Sequence, residues 1–440
     1  MSFERSEIAQ QRQGELLGTI SLAEVRRRVW DVVILGGGVA GSSAAILAAT
    51  AGLSVLIIEA KSFPREKVCG GCLNQRAQSF LKKIGVWDVL LSAGAIKLDE
   101  FHVRYDNVGY TWSIPPLLSV RRSTLDTLLI RRAIASGAAF LPNTTGYLLQ
   151  SRDWSASQEP IGINTIRIRL KSKCAFGDGS PASRNDTIFI DEKTVETIGE
   201  SKCVLVAAGL NRSPLIGKER ESEWPEVVAT NSRIGVQALV DRTSFQRYAS
   251  RTSFFSDSSN RLTMLASREG YVGICDTDGG MVDMAAAIEA SSIGGKGGIP
   301  KAISRIAEKC GLKLGEDILQ ATWLATPFLT RTSQVVAKPG VFLVGDSLGY
   351  VEPFTGEGMS WAFSNSESVV PIIKKAIETG DYRGAQKDWD SAVNRERRFR
   401  QSVCKWIAKQ ARFRYRSQWV LRACHWCAPF RNQLLRKAVQ

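Results

Sequence analysis

Gly36, Gly38 and Gly41 stand in a G-x-G-x-x-G spacing directly after the short apolar run Asp31–Leu35, and Glu59 closes the next apolar run. Glycines at this spacing permit a tight turn and a close backbone approach, so that a pyrophosphate can meet the N-terminus of the following helix. An acid at the end of the second strand can accept hydrogen bonds from adenosine ribose hydroxyls. A plain βαβ unit with a glycine turn is the bland alternative. Strand, helix and acid all in place favour a bound dinucleotide, and the pattern alone does not separate FAD from NAD.

A second signal lies 300 residues further on. Gly345 and Asp346 follow the apolar run VFLV and lead through Leu348, Pro353, Gly356, Glu357, Gly358 and Met359 into a helical stretch. This segment, GDSLGYVEPFTGEGMSWAF, is similar to the second FAD motif of the superfamily of p-hydroxybenzoate hydroxylase and geranylgeranyl reductase. The resemblance implies that Asp346 binds the ribityl portion of FAD. It also implies that the proline–glycine turn sets backbone amides against the pyrimidine edge of the flavin, where a helix N-terminus stabilises the negative charge of the reduced ring.

Two weaker stretches agree. Arg122, Asp126 and Leu129, in RSTLDTLLIRRAIASGA, resemble the family helix whose arginine lies beside FAD; taken alone, an Arg and an Asp four apart on a helix form a surface ion pair. VLVAAGLNRS, with Ala208, Gly209 and Ser213, resembles the strand and turn beside the adenine half.

The stretch FPREKVCGGCLN, with Lys67, Cys69, Gly70, Gly71 and Leu73, looks like the K-x-CGG-x-L segment of geranylgeranyl reductases, which saturate prenyl chains by hydride transfer from flavin N5. The resemblance makes Cys69 a candidate catalytic group beside the ring. Cys72 completes a CGGC run, which leaves a dithiol reading open. No second G-x-G-x-x-G occurs, so electrons are expected to arrive transiently from NAD(P)H or a reduced carrier protein. Glu357, in the loop nearest the expected ring, is a second catalytic candidate as a proton relay, with an exposed loop carboxylate as its alternative. His102 reads as an ordinary sheet residue.

Three other branches share these FAD motifs or part of them. The aromatic Y-x-W-x-F-P segment of many family reductases is missing; its place is EGYVGICDTDGG, around Tyr271 and Gly273. That keeps open an aromatic or polyketide monooxygenase, which works through a flavin hydroperoxide, and a flavin electron carrier without small-molecule catalysis. YTWSIP, Tyr110 to Pro115, partly mimics the W-x-W-x-I-P of flavin halogenases, but it lacks the first tryptophan and lies in the wrong half of the chain.

The elements that must position these residues follow from the hydropathy pattern. Fully apolar runs at 31–35, 53–58, 202–207 and 341–344, alternating with helical stretches, indicate a parallel sheet covered on both faces. Alternating patterns at 101–114 and 233–325 indicate antiparallel strands. The expectation is an α/β protein: an FAD-binding, Rossmann-type (glutathione-reductase-like) domain with an inserted antiparallel-sheet substrate domain and a helical C-terminal segment. The boundaries read as a polar lead at 1–30, an FAD-binding domain at 31–100, 120–232 and 335–378, a substrate sheet at 101–119 and 233–334, and a basic helical segment at 379–440. A length of 440 residues is ample for such a core.

The formal charge of +15 is local. Arg395–Gln440 holds thirteen Lys or Arg against Glu396 alone, a net of +12. Within it Trp406, Phe413, Val420, Cys424 and Cys427 recur on one helical stripe. Two readings follow: a C-terminal helix packed on the body, or a contact with an anionic membrane surface that brings the site to an apolar, lipid-dissolved substrate. Nucleic acid is disfavoured by a charge so confined, and Cys424 and Cys427 lack the second pair a metal site needs. The first thirty residues mix acids with bases and lack an apolar core, so they do not read as a secretory signal. With nine cysteines and no export signal, reduced thiols and a cytoplasmic protein are expected, peripheral at the inner membrane face if the basic segment touches lipid.

Overall fold

The strand Val29–Leu35 is apolar on both faces because helices cover both sides of the sheet it sits in. The computed structural model describes residues 15–149, 165–173, 188–191, 194–210, 222–252, 260–294, 297–352 and 357–397. In it Val29–Leu35 is the centre of a nine-stranded sheet. Thr194–Val206 and then Val341–Leu343 lie parallel on one side, Val55–Ile58 and then Ala139–Leu141 on the other. The long strand Thr194–Val206 runs beyond this core, and its first half pairs antiparallel with Ile166–Lys173.

The helix Val39–Thr50 is rich in Ala, Ser and Gly, and nine of its twelve residues are buried. Small side chains let the helix Gly358–Thr379 pack close against it, with Ser366 Oγ donating to the Ala40 carbonyl at 2.9 Å. The helix Tyr382–Glu396 is tied back to the sheet by Trp389, whose indole N–H donates to the Leu343 carbonyl at 3.1 Å. Among the described residues no helix is long and apolar enough to cross a membrane.

An eight-stranded sheet forms the second layer, in the order Leu324–Phe328, Ile234–Asp241, Met281–Ile288, Gly270–Thr277, Arg261–Ser267, Ile96–Tyr105, Val108–Ser119 and Cys72–Leu73. All its pairings are antiparallel except that of Arg261–Ser267 with Ile96–Tyr105. Its central strands are buried on both faces, with successive side chains pointing to opposite sides. Val272, Ile274 and Met284 pack under the helix Gly298–Lys309, while Tyr271, Gly273 and Ala285 face the first domain.

This sheet starts earlier than the sequence indicated. Residues 96–100 belong to its strand Ile96–Tyr105, and Cys72–Leu73 forms its edge. The CGG run is therefore the crossing between domains, a role that local periodicity over two residues does not reveal. From residue 15 the N-terminal lead is docked on the body. Leu16 and Val25 are buried, and Ser21 and Glu24 form a capping box on the short helix Leu22–Arg26.

Candidate functional site

Gly36 adopts φ +113°, and a Cβ there would lie 2.4 Å from the Ala207 carbonyl oxygen. Gly41 is held by space alone: a Cβ would come within 1.9 Å of the Gly36 carbonyl oxygen. These two glycines close the strand–turn–helix. Gly38 is different. It caps the helix Val39–Thr50 with φ −77°, and a Cβ there would meet only the guanidinium nitrogens of Arg65 and Arg122, at 3.6 and 3.8 Å. Nothing in the fold requires glycine at 38, so the space it leaves fits a ligand phosphate at the helix N-terminus.

Glu59 is fixed beside this turn. Its Oε2 accepts from the Gly37 amide at 2.9 Å and its Oε1 from the Lys61 amide at 3.1 Å. Arg122 is buried rather than exposed, and it forks onto Asp126 at 2.9 and 2.8 Å. Burial opposes the charge on Arg122, but Asp126 and then Cys69 more than offset it and hold the guanidinium above its ordinary value. Arg65, which no spacing in the sequence singled out, stands between the two acids, 3.5 Å from Glu59 and 3.3 Å from Asp126.

Lys67 reaches from the CGG approach to Asp346 of the second motif at 3.7 Å. Burial lowers its pKa; Asp346 opposes the shift, and Arg122 and Arg65 add to it. Three cations thus converge on the groove beside Gly38, the charge a pyrophosphate needs. The second motif is pinned from two sides: the Gly345 amide donates to Asn365 Oδ1 at 3.2 Å, and Ser347 Oγ donates to the Gly209 carbonyl at 3.2 Å. Ala208, Gly209, Asp346, Gly358 and Met359 line the same groove. Pro353, Gly356 and Ser213 lie outside the described residues, as do Trp406, Phe413, Val420, Cys424 and Cys427 of the basic segment. The donors and the space at Gly38 fit FAD, whose adenosine would lie by Glu59 and whose diphosphate by Gly38, Arg65 and Arg122.

The groove continues into a space between the two sheets, one cavity of about 700 Å³. Cys69 and Gly70 stand in its wall at the crossing. Gly71 turns the chain with φ +62°, and a Cβ there would press on the Val120 carbonyl oxygen and on Asp283. Gly70, like Gly38, is not required by the fold, since a Cβ would make only an ordinary contact with Ala285 at 3.7 Å.

Cys72 pairs with Cys275. That bond and burial hold its thiol well above the ordinary range. All five described cysteines are free thiols. Glu357 is buried, not an exposed loop carboxylate, and it is not among the residues that line the cavity. His102 is a buried strand residue bonded to Thr111 Oγ1 at 2.8 Å.

Two polar residues of the second sheet went unnoticed in the sequence. Gln237 and Asp283, both buried, interrupt the apolar strands IGVQALVD and MVDMAAAI. A polar residue in the middle of a covered strand was the available signal.

Residues 29–152 match a family model described as an FAD binding domain. An uncharacterised protein of Methanosarcina barkeri is 35% identical over 376 residues, covering 84% of this chain and 82% of its own. A digeranylgeranylglycerophospholipid reductase of Methanothermobacter thermautotrophicus is 24% identical over 391 residues, covering 88% of this chain and 87% of its own. Among solved structures, a flavin-dependent brominase shares the fold with a TM-score of 0.67 at 18% identity, over 94% of this chain and 95% of its own. With both FAD motifs converging on one groove, the chain belongs to the family of the Methanosarcina protein, within the geranylgeranyl-reductase-like superfamily of FAD-dependent oxidoreductases.

Proposed function

We propose that this flavoenzyme reduces a carbon–carbon double bond of a bulky apolar, prenyl- or lipid-like substrate. The observation that carries the reading is the division of charge around the cavity. Every charged residue of its described wall comes from the nucleotide-binding half, among them Glu59, Lys61, Arg65, Lys67 and Asp346. The second sheet contributes Leu262, Met264, Tyr271, Ala285, Ala287 and Leu324 to that wall, with no charged side chain. Such a wall favours an apolar chain, roughly 25 cal/mol for each Å² it removes from water.

FAD, when bound and reduced, supplies the hydride. The chain's own part is to hold the alkene at the crossing, to exclude water and to provide one proton. Gly70 leaves the room for close approach. The wall groups that carry a transferable proton include the Cys69 thiol at the crossing and the Tyr271 phenol on the facing sheet. Burial, and then Glu352, push the phenol well above its ordinary value, so it stays protonated.

The substrate reaches the cavity past Leu324, which lines it and is 37% exposed, on the edge strand that also exposes Phe328. An apolar entrance together with the basic segment 395–440 supports contact with an anionic membrane surface. A single dinucleotide fingerprint supports transient reduction by NAD(P)H or a reduced carrier protein.

Anaerobic reduction of the FAD-loaded protein, then rapid mixing with a geranylgeranyl lipid or with oxygen, tests the proposal. Fast, stoichiometric flavin reoxidation by the lipid, with slow reoxidation by oxygen, is the expected result. Fast oxygen consumption coupled to a hydroxylated product would make the protein a monooxygenase. Reoxidation only by a one-electron acceptor would make it an electron carrier.

A further inference from the structure

The CGG crossing is held from beneath by a chain of side chains that the reaction as described does not use. The Cys69 amide donates to Gln237 Oε1 at 3.2 Å. Gln237 Nε2 in turn donates to both carboxyl oxygens of Asp283, at 2.9 Å each. Gln237 and Asp283 are 3% and 2% exposed, and they lie diagonally on the cavity face of adjacent strands, where Gln237 pairs with Ala285 and Leu239 with Asp283. Asp283 lies directly opposite Cys275 on the next strand. It also packs under Gly71, within 3.1 Å of where a Cβ would stand.

An amide side chain can be turned end for end at little cost in shape, so its partner decides which end faces the turn. A carboxyl oxygen of Asp283, an acceptor in either protonation state, draws the Gln237 amino group, and that leaves only the carbonyl end for the Cys69 amide. We propose that Asp283, acting through Gln237, is a positioning residue that sets the Cys69–Gly70–Gly71 turn against the flavin.

The protonation state of Asp283 belongs to this arrangement. Burial pushes its carboxyl up to about 8; the Gln237 bond opposes the shift, and Glu66 and Asp278 add to it. The other groups facing it are the thiols of Cys72 and Cys275, and Asp278 is itself paired with Arg121 at 3.0 Å. In neutral solution Asp283 is therefore mostly a neutral acid. Above pH 8 it becomes a buried anion that repels Glu66 and Asp278. Position and pH dependence of the turn are two consequences of one contact.

The inference rests on the reading that the turn faces bound FAD, and its test reads the flavin itself rather than turnover. The visible absorption of FAD in the loaded protein is followed from pH 6.5 to 9.5, in the wild type and in Asp283→Asn and Gln237→Leu variants. Thermal unfolding of each confirms that it folds. A spectral transition with its midpoint near pH 8 in the wild type, lost in both variants, is the expected result. Asp283→Asn keeps an acceptor for Gln237 and cannot ionise, so its spectrum matches the wild type at pH 6.5 throughout. A wild type without the transition, or an Asp283→Asn variant that retains it, overturns the inference. A protein that does not hold FAD would instead overturn the reading beneath it.

Discussion

The Arg122 guanidinium grips the Asp126 carboxylate through two nitrogens, at 2.9 and 2.8 Å, in a pair 6% and 0% exposed at the side chains. A bidentate pair of this kind fixes the plane of the guanidinium and so aims its remaining N–H groups. One of the two gripping nitrogens, Nη2, also stands 3.8 Å from where a Cβ on Gly38 would lie, at the edge of the nucleotide groove.

Arg122→Ala leaves Asp126 buried, with Arg65 3.3 Å away as its remaining close ion-pair partner. The expected cost is about 3–5 kcal/mol of stability, together with a large loss of FAD affinity. Arg122→Lys restores the charge but not the fork, so it should recover stability better than affinity. Chemical unfolding of the FAD-free protein, set beside an FAD titration of each variant, separates the two effects.

Two glycines of one turn should fail differently. Gly41→Ala places a Cβ 1.9 Å from the Gly36 carbonyl oxygen, so the variant should not fold or should lose most of its stability. Gly38→Ala has room in the protein and should unfold within about 1 kcal/mol of the wild type. It should nevertheless bind FAD at least tenfold more weakly, because the lost space belongs to the ligand. Equal melting of the two FAD-free variants would contradict this division.

The nucleotide half was legible in the sequence for a physical reason. A phosphate-binding turn needs glycines at fixed offsets after a strand, and both the strands and the offsets are local. Gly36 and Gly41 therefore close the turn after Val29–Leu35, and Glu59 accepts from the Gly37 amide beside it. The placement of Arg65, Gln237 and Asp283 was not legible, because each acts through partners brought near by the fold: Asp126 is 61 residues from Arg65, and the Cys69 amide is 168 from Gln237. Glu357 shows the opposite failure. Its neighbours in sequence belong to a flavin motif, yet it caps the helix Gly358–Thr379 and stays buried, with the Trp361 amide donating to its carbonyl at 3.1 Å.

Arg233 joins the two halves behind the cavity. Fully buried, it donates to Glu289 at 3.1 Å and to Glu352 at 3.0 Å, and it lies 5.7 Å from the Tyr271 ring. Burial opposes its charge, but Glu352 foremost outweighs this and holds the guanidinium above its ordinary value. Arg233→Met should cost about 3–5 kcal/mol by stranding two acids. Glu352 immediately precedes residues 353–356 of the second FAD motif, so FAD should also dissociate faster. Arg233→Met paired with Glu352→Gln should recover part of the stability, and a double-mutant cycle measures how much.

Stability should respond to acid through His102. Its imidazole is held down to about 4, first by burial and then by the charges of Arg261 and Arg104. The unfolded chain takes up a proton there near the ordinary value of about 6.5, whereas the folded chain refuses it until about pH 4. Between these values the unfolded state binds more protons, so stability rises with pH. The sign is therefore a loss that begins as pH falls through 6.5, grows to about 4 and then levels off. The depth is on the order of 3 kcal/mol for a fall from 6.5 to about 4. A His102→Gln variant removes the titrating group and should flatten that part of the curve. Urea midpoints measured from pH 7 to pH 4 on both proteins give the comparison. Parallel curves would mean that His102 titrates alike in the folded and unfolded chains, contrary to its buried place between Arg104 and Arg261.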